Sequence, residues 1–201
     1  MSEHYFTGEP ASRFKLASFT TRLRGREFIF WTGAGVFSRE RVDPGTRLLV
    51  ENLVFSGAQA PLDLGCGYGV IGLVIAGELP EVRVCLSDPN KRAVGLAEKN
   101  AAGNGITNVC IKEGLGFTPW TSRRFDLIAC NPPLRVGKKP VLDLFQQAAG
   151  RLLAGGSLWT VIRTAQGAKS YIRELEGIFH RVQVVEVKSG YRVIRAVKKE
   201  G

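Results

Sequence analysis

The stretch APLDLGCGYGVIG (residues 60–72) decides the fold. An apolar run ends on an acid, Asp63, and three glycines follow at alternate positions, Gly65, Gly67 and Gly69, before the apolar run VIGLVIAG begins. This reads as a buried strand, a tight turn and a helix, with glycines where the backbone must turn sharply and admit a ligand at the helix N-terminus. Working outward, the same unit recurs. VRVCLS (residues 82–87) reads as a strand running up to Asp88, followed by a helix over 91–103; NVCI and FDLIAC (residues 125–130) are further strands. A helix is predicted over 141–153, closed by the C-cap glycines of Ala154-Gly155-Gly156. SLWTVI is the next strand and 168–179 the next helix. RVQVVEVK and YRVIRAVK are then separated only by Ser189-Gly190, a two-residue hairpin signal. Repeated βα units predict a parallel sheet with helices on both faces. The expected fold is α/β and Rossmann-like: a mostly parallel seven-stranded sheet with an antiparallel C-terminal hairpin strand.

Residues 1–55 are less regular and rich in aromatic and basic side chains. They predict an arm with a hairpin at EFIFWTGAGVFS (residues 27–38) and a short helix after Pro44, leaving 56–201 as the ligand-binding domain. The 201 residues are 44% hydrophobic and 23% charged, ordinary for a globular chain with a substantial core. The N-terminus lacks the basic start and apolar run of a signal peptide, and VIGLVIAG is too short to span a bilayer. A soluble, cytoplasmic protein is expected. Cys66, Cys85, Cys110 and Cys130 form no C-x-x-C pair, so they read as reduced core residues and no metal site is expected. His4 and His180 are isolated from other ligating groups, and the three tryptophans show no base-stacking spacing. The net charge of +10 favours a polyanionic partner, with cations early in the chain, at Arg135, Lys138 and Lys139, and near the C-terminus.

The glycine loop admits two readings. Gly67, Gly69 and Gly72 match G-x-G-x-x-G, with Asp88 at a suitable distance for a ribose hydroxyl. The dinucleotide fingerprint, however, places its first glycine directly after the strand. Counted from Gly65, Val70 occupies the place of the third glycine. Asp63 would also repel a pyrophosphate lying there. A cofactor with an amino group and no phosphate suits that carboxylate better.

FDLIAC is followed by Asn131-Pro132-Pro133 and a basic segment. With DLGCGYG and Asp88, this motif resembles the class I S-adenosylmethionine-dependent methyltransferases. Together with HYFTGEP, GVFS, RTAQGAKS and GYRV, it resembles the small-domain family that includes ribosomal RNA guanine-N2 methyltransferases of the 16S type. The resemblance implies that Gly65, Cys66, Gly67 and Gly69 wrap the methionine part of S-adenosylmethionine, with Asp63 beside it. Asp88 and Pro89 would meet the ribose. Relatives place an aspartate at the adenine after the third strand; here Glu113 substitutes for it or, with Gly114 at that position, the contact is lost. Asn131 would stand at the cofactor as well as at the substrate.

An exocyclic amine on a nucleobase is a poor nucleophile because its lone pair is delocalised. A site that accepts both N–H bonds and aligns the nitrogen supplies orientation. The Asn131 side-chain oxygen and the Pro132 carbonyl are the expected catalytic acceptors, stiffened by the proline pair. Pro133, Leu134, Arg135 and Lys138 are expected at the substrate, with Leu134 where many amino methyltransferases carry an aromatic residue. Phe37 either closes over the cofactor or flipped base or packs in a hairpin core. The implied partner is ribosomal RNA or the small ribosomal subunit, with the protein acting as monomer or homodimer. Methylation of a protein glutamine amide or a small molecule is the alternative activity. An RNA-binding assembly module with a vestigial cofactor site is the non-enzymatic one.

Overall fold

The computed structural model describes residues 16–33, 35 and 41–199. An antiparallel hairpin, β1 (Leu16–Leu23) and β2 (Arg26–Gly33), precedes α1 (Pro44–Asn52). The main body then runs β3 (Pro61–Leu64), α2 (Val70–Glu78), β4 (Val84–Asp88), α3 (Lys91–Gly103), β5 (Val109–Glu113) and β6 (Phe125–Cys130). It continues α4 (Lys138–Arg151), β7 (Leu152–Arg163), α5 (Ala168–Ile178), β8 (Arg181–Lys188) and β9 (Tyr191–Val197). Seven strands form one sheet in the order β5-β4-β3-β6-β7-β9-β8. The first five are parallel, and β9 inserts antiparallel between β7 and β8. The Rossmann-like expectation is met, including the closing hairpin, whose turn residues Ser189 and Gly190 both have positive φ.

Two local readings change. The N-terminal hairpin lies one strand upstream of the expected 27–38: β2 pairs with the preceding segment through a turn at Arg24 (φ 48°) and Gly25 (φ 81°). Positive φ at both central residues gives the primed turn that suits strand twist, but arginine is not a residue that signals it. The second change concerns Ala154-Gly155-Gly156, expected to cap a helix. The helix ends at Arg151 and these residues already belong to β7. There the pairing with β6 shifts register between Phe125 and Leu127, and the Gly155 amide donates to the Lys199 carbonyl at 3.4 Å. The glycines mark an irregular strand entry, a role glycine serves as readily as a helix cap.

Both faces of the sheet are buried. Leu73, Ile75, Leu86 and Leu96 pack with the hairpin and α1 on one side, and Phe125, Phe145, Leu152 and Leu175 pack with α4 and α5 on the other. Gly72 sets the closeness of α2, since a Cβ there would meet Leu86 at 2.5 Å. Two of the early cations are structural: Arg24 pairs with Glu78 at 2.6 Å, and Arg26 donates to the Gly77 and Asn104 carbonyls.

Side-chain amides dock the hairpin. Asn104 Oδ1 accepts from the Ile29 amide at 3.0 Å and its Nδ2 donates to the Ile29 carbonyl at 2.8 Å. Asn100 does the same for Trp31, at 2.7 and 3.0 Å, and also donates to the Tyr68 carbonyl in the glycine loop at 2.8 Å. Positions i and i+4 on one helix face thus match residues i and i+2 of a strand edge. Phe19 and Phe30 pack edge-on against Tyr68, so the hairpin buttresses the loop from behind. Asn100→Ala leaves the Trp31 amide and the Tyr68 carbonyl without this partner. It is expected to lower stability in urea unfolding by about 3 kcal/mol, the cost of orphaned buried polar groups.

Candidate active site

Parallel register gathers the acids and the amide at one edge. Asp63 lies opposite Leu86 of β4 and Ala129 of β6, so Gly65, Asp88 and Asn131, each two residues further on, emerge together at the carboxyl ends of adjacent strands. Gly65, Gly67 and Gly69 have φ of 72°, 55° and 96°, a left-handed conformation that side chains other than glycine resist. Gly65 and Cys66 donate to the Ser87 carbonyl at 2.8 and 3.0 Å, and Gly69 donates to the Cys66 carbonyl. A Cβ added at Gly65 or Gly67 would meet nothing within 4 Å, so that surface of the loop is open to a ligand.

Asp63 is fully buried. Its Oδ2 accepts from the Gly72 amide at 2.7 Å, whereas Oδ1 has no hydrogen-bond partner. Burial pushes its pKa up to about 7, against the lowering effect of the Gly72 bond, and the neighbouring Asp88 adds to the rise. Asp88 accepts from the Gly67 amide at 2.9 Å on Oδ2 and from the Asn90 amide at 2.9 Å on Oδ1. Burial raises its pKa too, opposed by those two bonds. A desolvated carboxylate with one orphaned oxygen, beside a second acid and an open glycine surface, suits a ligand carrying both a cation and hydroxyl groups. Pro89 continues this rim half-buried.

The Asn131 side chain is held by α1. Its Nδ2 donates to Thr46 Oγ1 at 2.8 Å and to Asp43 Oδ1 at 3.1 Å. Asp43 is the N-cap of α1, accepting from the Thr46 amide at 2.9 Å, with Pro44 next in the helix. Neither Asp43 nor Thr46 was singled out by sequence reasoning. The spacing D-P-G-T announces a helix start, but the partner lies 85 residues or more away.

The other expected residues divide. The Pro132 carbonyl already accepts from the Leu134 amide at 2.9 Å, around Pro133 at φ −76° and ψ 77°, an inverse γ-turn that leaves that oxygen one lone pair. Leu134 is half-buried against the α4–α5 core, and Arg135 is exposed. Lys138 is engaged with Glu174 at 2.7 Å and Ser170 at 2.8 Å, tying α4 to α5. Glu113 is exposed. At Gly114 a Cβ would sit 2.4 Å from Pro119 Cγ, so no side chain, aspartate included, fits there. Cys66 and Cys130 are buried with thiols pushed up by burial. Phe37 and His4 lie outside the described residues. Among the described residues no group of three or more His, Cys, Asp or Glu is placed to hold a metal, and no helix is long and apolar enough to cross a membrane.

Comparison with known proteins gives the family. The family model described as "Methyltransferase small domain" matches residues 27–195. The chain belongs to the small-domain methyltransferase family. Within that family it is 42% identical over 200 residues to the protein YbxB of Bacillus subtilis, covering 98% of this chain and 100% of YbxB. It is 34% identical over 171 residues to ribosomal RNA large subunit methyltransferase G of Ectopseudomonas mendocina, covering 82% of this chain and 45% of that protein. Among solved structures it matches the 16S rRNA N2 methyltransferase RsmC of T. thermophilus, in complex with AdoMet and guanosine, at TM-score 0.82 and 29% identity. That match covers 95% of this chain and 52% of RsmC, so the chain spans about half the length of both named RNA methyltransferases.

The raised Asp63 pKa fixes a sign. With its carboxyl raised to about 7, folded ligand-free Asp63 holds, between about pH 4 and 7, a proton that the unfolded chain, with a carboxyl near 3.8, has released. Stability contributed by that proton is therefore full below about pH 4 and lost as pH rises through about 7. The melting temperature of the ligand-free small-domain methyltransferase is expected to fall from pH 5 to pH 8. Asp63→Asn flattens that dependence in a thermal-melt series.

Proposed function

We propose that this chain transfers a methyl group from S-adenosylmethionine to the exocyclic N2 of guanine in ribosomal RNA. The observation that carries the reading is the register that brings Asp88, Gly65 and Asn131 to the carboxyl ends of three successive strands, with Gly65 between the other two. A carbonyl-type acceptor for an amine then stands next to a site suited to a cationic, hydroxylated cofactor. The family membership and the guanosine bound to RsmC support it.

S-adenosylmethionine, when bound, supplies an electrophilic methyl on a sulfonium. The residues present fit it. Asp63 Oδ1, buried and unpartnered, takes the ammonium end, which favours its ionised form. Asp88, its oxygens steadied by the Gly67 and Asn90 amides, keeps lone pairs for the ribose hydroxyls. At Gly114 no side-chain carboxylate fits in the place expected for adenine, and the adjacent Glu113 is exposed. Asn131 Oδ1 accepts one N–H of the guanine amine and the remaining lone pair of the Pro132 carbonyl accepts the other. Holding both directs the nitrogen lone pair at the methyl. The methylated amine is acidic and releases its proton to water without a dedicated base. Pro133 and Leu134 border the base, which must be unpaired or flipped out to enter. Exposed Arg135 is free of the ion pair that engages Lys138 and is the better candidate for a flanking phosphate.

The test is methyl transfer from labelled S-adenosylmethionine to unmodified ribosomal RNA and to small- and large-subunit particles, with nucleosides resolved by mass. The expected product is N2-methylguanosine. Asn131→Ala is expected to lose about 100-fold or more in rate, as when a transition-state hydrogen bond is removed. Cofactor binding without label in any RNA substrate overturns the reading and directs the search to protein amides.

A further inference from the structure

The N-cap of α1 does more than start a helix. Asn131 has an amide whose two ends look alike in shape and are opposite in chemistry, and only one end can serve an amine donor. The surroundings decide which. A carboxylate accepts and cannot donate, so Asp43 Oδ1, 3.1 Å away, requires the NH2 end of Asn131 to face it. Thr46 Oγ1 takes the second N–H at 2.8 Å. Both protons of the amide are consumed on one side, and among the described residues none donates to Oδ1 on the other. We infer that Asp43 and Thr46 are positioning residues that clamp the Asn131 amide with its oxygen turned to the substrate amine. The inference rests on the reading of Asn131 as the amine acceptor.

Reversing the amide would break two hydrogen bonds, one of them to a carboxylate, and set oxygen against oxygen. Bonds of that kind bias the orientation by about 100-fold or more. The clamp also alters the acceptor. A hydrogen bond from the amide N–H to a carboxylate draws electron density toward Oδ1, and bonds in a chain strengthen one another. The carboxylate, the asparagine amide and the substrate amine thus form one polarised line.

The clamp is rigid because its base is rigid. Leu49 and Val50 bury α1 in the core, and Pro44 fixes the backbone at the first helical residue. Gly45 has no room for a side chain: a Cβ there would sit 2.9 Å from the Tyr191 ring and 3.0 Å from Asp43 Oδ1. Tyr191, at the start of β9, therefore lies close over the turn that carries Asp43. The Thr46 amide, at 2.9 Å, and the Thr46 hydroxyl, at 3.5 Å, share Asp43 Oδ1 with Asn131.

Thr46→Val keeps the shape of the side chain and removes the acceptor, Thr46→Ser restores it, and Asp43→Asn keeps a helix cap while removing the charge. In the methyl-transfer assay Thr46→Val, which loses a hydrogen bond, and Asp43→Asn, which loses the charge that strengthens one, are each expected to lower kcat about 10-fold, with KM for cofactor and RNA within about twofold. Thr46→Ser returns kcat to within about threefold of the unaltered protein. A second readout needs no substrate. In 15N-labelled protein the Asn131 side-chain NH2 pair, identified by its loss in Asn131→Ala, is expected to exchange slowly with water, and faster in Thr46→Val. Full kcat in Thr46→Val and Asp43→Asn beside an inactive Asn131→Ala overturns the clamp. So does an NH2 pair that exchanges as fast as exposed amides, or a Thr46→Val loss that appears in KM and that serine does not recover. An active Asn131→Ala overturns instead the reading of Asn131 on which the clamp rests.

Discussion

A carboxylate buried at the end of β3 and hydrogen-bonded through one oxygen only imposes conditions on everything near it. Asp63 Oδ2 needs the Gly72 amide, and Gly72 can come that close because it lacks the side chain that would strike Leu86. The first turn of α2 is thereby pressed against the sheet, with the Gly72 amide directed at the acid. The left-handed glycines follow, since the chain must fold back on itself between Asp63 and Gly72. Asp88, one strand over, tightens the condition: two acids share a desolvated corner, and a positive ligand relieves both. The desolvation that raises both carboxyls is the same electrostatic fact that suits this corner to a cation.

Around that corner the chain makes unusual use of asparagine. Asn100 and Asn104 present a helix as if it were a neighbouring strand, so β2 has partners on the edge opposite β1. Asn108 gathers the Ala76, Leu79 and Val82 carbonyls where α2 ends. Asn131 is held by its NH2 end. A primary amide offers a donor and an acceptor on one short stem, which suits it to pairing with backbone in places where no ladder can extend.

The sheet was legible in the sequence because strand and helix periods alternate cleanly and the closing hairpin carries Ser-Gly between two β-rich runs. The acids and Asn131 were legible because they sit at strand ends, where parallel register gathers them. Three things were not. The hairpin register turned on Arg24, a residue without turn character. The glycines of 154–156 look alike whether they cap a helix or loosen a strand. The contacts of Asp43 and Thr46 with Asn131 join segments far apart in the chain, and local pattern carries no trace of which distant amide a capped helix start will meet. The basic residues needed the structure as well: Arg24, Arg26 and Lys138 contribute to the net charge, yet their guanidinium and ammonium groups are engaged by carboxylates and carbonyls of other elements.

The position of β9 bears on how the molecule is made. A chain emerging from its N-terminus has β3 to β7, with both acids and Asn131, in hand before β8 and β9 exist. β8 is made first of the two, yet its hydrogen-bonded neighbour is β9, and β9 alone joins it to β7. During synthesis the β7 edge therefore stands open while β8 waits, and that edge is the kind of surface that captures a second chain. Tyr191 at the start of β9 arrives in the same late step, so the turn at Gly45 receives its cover only when the sheet closes. The ligand corner is composed early, and the wall behind its amide is completed last.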